Sequence, residues 1–360
     1  MASIQDDNTS LVLLHYDNCT ESSAATLKAT RGVIKEAATD KVVCQSFGYT
    51  HEYELSDYDK WASQLEGCVQ NCHIFLSEEG SLLRLFFHDN KWNLATHKRI
   101  DAFGSYWSCN KSFGELFLEA LECYFSERKT LEYESADHLF DVFCDTLDRE
   151  CVYTFLLRTN ADTRIVSRPP PTPKLYFGGY FYHGMRLAGN PTLVEWPTRV
   201  HFTSAEGLKE FVSTLDPLDY QGVIVFMTNQ TVFKIMAPGY LDLAKVRGCE
   251  PSFQRAYLRV REDTEGIQKL LSLFPDKKET MRHVESDIVK LASRLCQFYV
   301  RRYIYKEHIV VNKHYYYMMR LAHAWHCECR ERNIVNVNKF LELLDKQTPS
   351  FLGFLMSLKE

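Results

Sequence analysis

The spacing of apolar and polar positions predicts two β-hairpins in the first two thirds of the chain. The first lies within residues 81–96, where two strand-like runs flank a polar turn at 88–91. The second lies within residues 222–235, with its turn at 227–230. Because both turns are short, each pair of runs is predicted to form adjacent antiparallel strands.

Helical patterns appear once in this region and dominate the end of the chain. At Phe113–Phe125, apolar residues recur on one helical face, and the proline-rich run at 169–173 predicts an exposed connection without regular structure. Beyond about residue 265, glycine and proline become scarce, and helical periodicity prevails from Glu279 onward. The sequence therefore predicts an α+β domain at 1–265 and an all-helical domain at 266–360.

Composition and charge limit the possible classes of protein. The chain has 360 residues, 45% of them apolar, and a formal net charge of −5, which argues against a surface that is uniformly coated with nucleic acid. It contains no apolar stretch of about 18 residues, and its first residues lack the features of a secretory signal. Twelve scattered cysteines are then expected to be reduced thiols. We expect a cytoplasmic protein that does not enter a membrane.

Two groups of cysteine and histidine are candidates for zinc ligands. They lie at Cys68–His73 and at His326–Cys329. Each lacks a second pair of ligands at the spacing that zinc sites use. No metal-binding residue is predicted.

Six segments contain short motifs that occur in a fixed order along the chain. They are Thr30–Ile34 with Lys41–Phe47, Ser77–Leu82, Ala95–Lys98, Tyr153–Phe155 with Thr163–Val166, Tyr220–Val225, and Phe233–Met236 followed by Tyr240 and Val246–Gly248. A single match of this length is weak, but the order and spacing of the whole set make it moderately specific.

These segments resemble the motifs of phage-type ATP-dependent RNA ligases, which are covalent nucleotidyltransferases, and of similar ligase-like proteins in large DNA viruses. The resemblance covers about two thirds of the chain. It implies a nucleotidyltransferase (ligase-type) fold of antiparallel sheets with flanking helices over residues 1–265, followed by a helical domain. If the source is viral, the resemblance implies the host cytoplasm.

The resemblance also implies that the catalytic apparatus is degenerate. Family members use a lysine to attack ATP and form lysyl-AMP, but Ser77 occupies that position here. Gln221 replaces a metal-binding glutamate, and Met236 replaces the second of two lysines that neutralise the α-phosphate. The first of those lysines persists as Lys234. No residue is predicted to be catalytic.

The residues that remain favour binding without reaction. Cationic side chains can attract phosphates, a motif carboxylate survives with one extra methylene, and a glycine permits close backbone approach. The predicted nucleotide-binding residues are Arg31, Glu79, Gly80, Lys98 and Lys234. The predicted ligand is RNA or a nucleotide, and ATP or another nucleotide with Mg²⁺ is the cofactor that the resemblance implies.

The helical part offers a second candidate surface. Between Lys277 and Arg320, ten lysines and arginines stand against four acidic residues, with tyrosines among them. Cations neutralise phosphates and aromatic rings stack on bases, so the predicted RNA-binding residues are Arg301, Arg302, Lys306, Lys313 and Tyr303. The alternative is an amphipathic helix with a solvated basic face and a tyrosine-lined core.

Three functions remain open from the sequence. The favoured one is a non-covalent RNA- or nucleotide-binding protein. The second is an active RNA ligase or nucleotidyltransferase with an unusual nucleophile, either Lys98 or Ser77. The third is a scaffold or interaction protein with a vestigial pocket, acting in viral translation or in evasion of host defence.

Overall fold

The computed structural model divides the chain into two compact units between Lys245 and Val246. It describes residues 2–5, 10–16, 18–159, 164–250 and 252–358. Residue 163, which belongs to one of the motif segments, lies outside these described residues.

The strands of the described residues all belong to the first unit. In chain order they are β1 (Ala2–Gln5), β2 (Leu11–His15), β3 (Val33–Glu36), β4 (Val42–Cys44), β5 (His51–Glu54), β6 (His73–Ser77), β7 (Ser81–His88), β8 (Lys91–Thr96), β9 (Val152–Arg158), β10 (Lys174–Tyr182), β11 (Met185–Arg186), β12 (Arg199–Val200), β13 (Gly222–Phe226) and β14 (Val232–Met236).

These strands form three sheets. The order is β1-β2-β3-β4 in the N-terminal sheet, β11-β10-β9-β7-β8 in the central sheet and β12-β6-β13-β14-β5 in the third sheet. Neighbouring strands are antiparallel except for β14 and β5, which are parallel. The β7–β8 and β13–β14 pairs confirm both predicted hairpins.

Helices of the first unit cover the central sheet and link the strands. They are α1 (Ala25–Lys28), α2 (Tyr58–Leu65), α3 (Phe113–Arg128), α4 (Ala136–Asp145), α5 (Ala205–Thr214) and α6 (Pro238–Arg247), which ends across the division. The predicted helix at Phe113–Phe125 is thus confirmed as part of α3. It begins with a capping box between Ser112 and Glu115, which satisfies backbone donors at the helix start.

Side-chain alternation along β7 gives the central sheet two different faces. Leu83 and Leu85 join the main core, where they pack with residues of α3 and α4. On the opposite face, Phe86 belongs to a smaller core with the N-terminal sheet, Arg84 is fully buried, and Leu82 lines a cavity. The sheet therefore separates a helix-covered core from the region that contains the candidate site.

The second unit is helical. It contains α7 (Phe253–Val260), α8 (Thr264–Leu273), α9 (Lys278–Tyr299), α10 (Lys313–Glu328), α11 (Val337–Asp345) and α12 (Pro349–Ser357), and one π-helical turn follows α9. We expected the boundary at 265, but α7 packs on α8, α9 and α12. These contacts place α7 and α8 in the helical unit and move the boundary about twenty residues earlier.

The predicted fold class is confirmed: the molecule is α+β, with mainly antiparallel sheets, flanking helices and a helical C-terminal part. Among the helices of the described residues, none is both long and apolar enough to cross a membrane.

Candidate functional site

A cavity of about 240 Å³ lies between the central sheet and the third sheet. Strand register explains how the third sheet builds its wall, because Phe75, Ile224 and Lys234 are direct neighbours on β6, β13 and β14. Most of the wall is apolar, and a few polar groups converge at one end. The polar and small residues of the lining include Arg31, Thr50, Glu52, Ser77, Glu78, Gly80, His97, Gln221 and Lys234.

Three motif residues that are distant in the sequence form one hydrogen-bonded chain in this cavity. The Ser77 hydroxyl donates to the Gln221 side-chain oxygen at 3.1 Å, and the Lys234 ammonium donates to the same oxygen at 3.0 Å. Lys234 also forms an ion pair of 3.1 Å with Glu52. The predicted motif positions Ser77, Gln221 and Lys234 therefore lie side by side.

This hydrogen-bonded chain consists of a hydroxyl, a carboxamide and an ammonium group. The hydroxyl of Ser77 is bonded to a carboxamide, and a neutral carboxamide does not act as a general base. The cavity-lining carboxylates, Glu52 and Glu78, are already engaged by Lys234 and Arg158. They do not present a free pair of acidic ligands for Mg²⁺.

Met236 follows the cavity-lining Lys234 by two residues on β14 and does not itself line the cavity. It is on the same face of β14 as Lys234, because side chains two residues apart point the same way. Its register neighbours are Gly222 and Glu54, and only 3% of Met236 is exposed. A buried thioether therefore occupies the position at which the resemblance implies a replaced lysine.

Glu79, which we predicted to bind a nucleotide, is not among the residues that line the cavity. Its carboxylate accepts backbone hydrogen bonds from residues 165–167 and a further bond of 2.9 Å from the Tyr240 hydroxyl. Burial and the Glu79 charge raise the pKa of Tyr240, so it stays a donor at neutral pH. The Tyr240 hydroxyl in turn accepts a bond from Gln221. Glu79 thus fixes a loop behind the site.

Glu78, the preceding residue, is the glutamate that reaches the cavity. It is buried and forms an ion pair with Arg158. Burial raises the pKa of this carboxyl, and the Arg158 charge opposes that rise. Local sequence does not favour Glu78 over Glu79, since both stand in a short link between two strands.

Lys98, which we predicted to bind a nucleotide, is exposed and lies outside the cavity lining. The Thr96 hydroxyl accepts hydrogen bonds from the backbone amides of Lys98 and Arg99, and this tight turn directs the lysine side chain outward. The preceding residue, His97, lines the cavity instead. Its Nε2 atom is buried and has no hydrogen-bond partner within the described residues.

Two arginines lie at this end of the cavity. Arg31 lines it, as predicted, and its guanidinium contacts the Thr50 hydroxyl at 3.4 Å. Arg84 is fully buried and donates to the backbone carbonyls of Gly32 and Thr96. It therefore holds in place the residues next to Arg31 and His97. Arg84 was not predicted, because its β7 neighbours are apolar and the strand looks like ordinary core.

Aromatic rings form another part of the cavity lining. Trp196 stacks on Phe75 with ring centroids 5.0 Å apart and meets Phe177 edge-on at 4.6 Å. All three line the cavity. None was predicted, because Trp196 lies in a loop without a motif and the phenylalanines look like ordinary strand residues.

Gly80 lines the cavity, but a neighbouring strand also requires its small size. An added Cβ would lie 2.5 Å from the Leu157 carbonyl oxygen on β9. Real Cβ atoms do not approach a backbone oxygen so closely. The glycine thus serves the packing of the central sheet in addition to any ligand.

In the helical unit, the predicted RNA-binding residues make several contacts with the protein itself. Arg301 forms an ion pair of 2.6 Å with Glu307, and Arg302 donates to the Ile309 carbonyl. Tyr303 is stacked between Tyr299 and His323, at 4.8 and 4.1 Å. Lys306 and Lys313 are exposed.

The cysteine and histidine groups give no metal centre. Within the part of the chain that the structure describes, no three His, Cys, Asp or Glu side chains cluster closely enough to hold an ion. The twelve cysteines, all of which are described, are free thiols.

Sequence comparison finds viral relatives, while no protein-family model matches the chain. The chain is 28% identical over 291 residues to an immediate-early protein ICP-46 homolog of Invertebrate iridescent virus 3, and these residues cover 78% of the chain and 62% of the relative. The homolog of Invertebrate iridescent virus 6 is 26% identical over 324 residues, which cover 84% of this chain and 68% of that relative. Immediate-early protein ICP-46 of Frog virus 3 is 21% identical over residues that cover 59% of this chain and 57% of that relative. The chain thus spans about three fifths of the first relative's length, and the expected similarity to proteins of large DNA viruses is confirmed.

Structure comparison finds ATP-dependent ligases. A putative ATP-dependent DNA ligase from Aquifex aeolicus has a TM-score of 0.43 and 11% identity, covering 79% of this chain and 72% of the ligase. An archaeal ATP-dependent RNA ligase has a TM-score of 0.41 and 11% identity, covering 76% and 68%. At these values the likeness concerns the fold and carries no argument about activity.

Proposed function

We propose that this chain binds a nucleotide, or the terminal nucleotide of an RNA, non-covalently in the cavity between the central and third sheets. The observation that supports this most strongly is the hydrogen-bonded chain of Ser77, Gln221 and Lys234. These residues come from three separate segments and meet in one cavity. A chance set of motif matches would scatter over the surface.

Two groups of lining residues suit the two parts of a nucleotide. Trp196, Phe75 and Phe177 provide ring faces and edges for a base, while Lys234 and Arg31 provide cations for phosphate. The volume lies below the range of about 300–1,000 Å³ that is typical of pockets for drug-sized ligands. We therefore infer that one nucleotide unit, and not a longer chain, enters the cavity.

The same side chains disfavour a covalent step. Ser77 is hydrogen-bonded to a neutral amide, and the alternative nucleophile, Lys98, faces away from the cavity. Mg²⁺ is not assigned a role, because Glu52 and Glu78 already neutralise cations of the protein. The degenerate motif positions thus agree with binding and disfavour adenylyl transfer.

The test combines calorimetric titration with intact-mass spectrometry. The protein is titrated with ATP and with GTP, each with and without Mg²⁺, and its mass is measured after incubation. We expect saturable binding of at least one nucleotide and an unchanged mass. A stable mass increase equal to AMP or GMP would instead support an active nucleotidyltransferase, and a lack of binding would support a vestigial pocket.

A further inference from the structure

The two compact units carry opposite net charges. Residues 246–360 contain twenty lysines and arginines against fourteen aspartates and glutamates, a net charge of +6. The whole chain has a net charge of −5, so residues 1–245 carry −11. A polyanion that binds this protein is therefore attracted by the helical unit and repelled by the larger one.

A groove in the helical unit concentrates part of this positive charge. It has a volume of about 620 Å³ and lies where α7, α9 and α12 pack together. Each helix contributes residues from one face. On α9 they are Asp287, Lys290, Leu291 and Arg294, and on α12 they are Ser350, Gly353, Phe354 and Ser357. Residues at this spacing share a helical face, so both stripes point into the groove.

The floor of the groove is apolar and rigid. Leu258, Leu291 and Leu355 are buried there, and the buried Tyr315 donates its hydroxyl proton to the Leu355 carbonyl at 3.3 Å. At Gly353 of α12, an added Cβ would make an ordinary contact of 3.5 Å with the Leu258 side chain of α7, so the two helices lie close together there. The groove is thus a built feature of helix packing.

The rim of the groove is basic. Arg255, Lys290 and Arg294 line it, and the single acidic residue that the described part of the chain adds is Asp287, which forms an ion pair of 2.8 Å with Lys290. Both members of that pair are more than half exposed, so the ion pair is weak and can exchange for a phosphate. Within the described residues, Arg255 has no ion-pair partner.

We infer that this groove is the polyanion-binding site of the helical unit and that its ligand is single-stranded RNA. Guanidinium groups bind phosphate through paired hydrogen bonds, and Phe354, which is 42% exposed at the groove, offers a ring face for a base. Hydroxyls of Ser252 and Ser350 add neutral donors. The choice of RNA rests on the proposed function, whereas the preference for a polyanion rests on the charge of the unit and of the groove.

The experiment measures binding of a short fluorescein-labelled oligouridylate to the full chain by fluorescence anisotropy over a range of salt concentrations. The test variant carries Arg255→Glu and Lys290→Glu, two exposed positions whose replacement leaves the apolar floor intact. The matched control carries Lys278→Glu and Arg282→Glu, which make the same two charge reversals at exposed positions of α9 outside the groove. Thermal midpoints of all variants are recorded to verify folding.

We expect the double variant to bind at least about tenfold more weakly, since each charge-assisted contact that is lost contributes roughly a factor of ten. A plot of log affinity against log salt concentration should become less steep by about 1.4, because each of the two lost single-strand phosphate contacts contributes about 0.7 to the slope. The control should bind like the wild type. Equal weakening in the control, unchanged binding in the double variant, or no oligouridylate binding by the wild type would each overturn the inference.

Two further measurements distinguish RNA from an acidic protein partner and the groove from the cavity. Binding of poly-glutamate in preference to oligouridylate would indicate an acidic protein partner and would refute RNA as the ligand. ATP and GTP titrations of the double variant report on the cavity alone. If they match the wild type while oligouridylate binding is lost, the groove and the cavity are separate sites. If nucleotide binding is absent in the wild type but the groove result holds, only the proposed function of the cavity fails.

Discussion

The α+β unit and the helical unit differ in how their predicted site residues are placed. In the first unit, Ser77, Gln221 and Lys234 were predicted from ordered motifs, and they lie together in one cavity. In the helical unit, Arg301 and Arg302 were predicted from local charge alone, and both contact neighbouring protein groups. An ordered set of motifs predicts which side chains meet, whereas a count of basic residues predicts only net charge.

The largest effect is expected from Glu79, whose carboxylate fixes the loop behind the cavity. Glu79→Ala leaves three backbone amides and the Tyr240 hydroxyl without their acceptor. We expect the free energy of unfolding to fall by about 3 kcal/mol, since a buried unsatisfied polar group costs about 1–3 kcal/mol. Urea denaturation measures this. The exposed Glu122→Ala on α3 is the control, and an equally small effect in both variants would contradict the structural role of Glu79.

Lys234 and Lys98 give a direct test of the cavity. Lys234→Ala should weaken nucleotide binding about tenfold, because one charge-assisted contact to phosphate is lost. Lys98→Ala should bind like the wild type, since this lysine faces away from the cavity. Calorimetric titration with ATP and GTP compares the two, and both thermal midpoints should stay close to that of the wild type. If Lys98→Ala were the weaker binder, the assignment of the cavity wall would be wrong.

His97 should make the first unit sensitive to acid. Burial, with the charges of Arg31 and Arg84 and the nearby His15, holds the pKa of His97 well below its ordinary value of 6.5. The unfolded chain then binds a proton near pH 6.5 that the folded chain does not, so stability is complete above pH 6.5 and falls as the pH drops below it. The loss is at most about 1.4 kcal/mol per pH unit.

His97→Gln should therefore reduce the difference in unfolding free energy between neutral and mildly acidic solution by about 1 kcal/mol. Urea denaturation of the wild type and the variant at both pH values measures it. The exposed His308→Gln in the helical unit is the control and should leave the difference unchanged. An unchanged pH dependence in His97→Gln would show that this imidazole is solvated.

The smallest effect is expected from the basic patch at 301–313. Arg301→Glu should change oligouridylate affinity by less than about twofold, because Arg301 does not line the groove that we infer to bind RNA. Fluorescence anisotropy with labelled oligouridylate measures this affinity, and the groove variants are measured in the same experiment for comparison. A loss as large as that of the groove variants would restore this patch as the RNA-binding surface.

Hairpins, helices and the overall fold class were predictable because they depend on local periodicity. The direction of a side chain at the end of a strand was harder to predict. Lys98 and His97 are adjacent, and the Thr96 hydroxyl decides which of them faces the cavity. Likewise, Glu78 lines the cavity while the neighbouring Glu79 binds loop 165–167, and only the three-dimensional position of that loop selects the glutamate that binds it.

Other features had no sequence signal. The boundary between the units moved because α7 and α8 pack on later helices, and such long-range contacts leave no mark on local composition. Arg84 and Trp196 were missed for the same reason, since each acquires its role from a partner that is far away in the chain: the Gly32 carbonyl for Arg84 and Phe75 for Trp196.

Non-covalent binding of a nucleotide in the cavity is tested most sharply by a crystal structure of the protein soaked with ATP or GTP. We predict electron density for phosphate beside Lys234, density for a base near Trp196 and Phe75, and no continuous density to Ser77. A covalent bond between the nucleotide and any side chain, or a nucleotide bound only outside this cavity, would refute the proposed function.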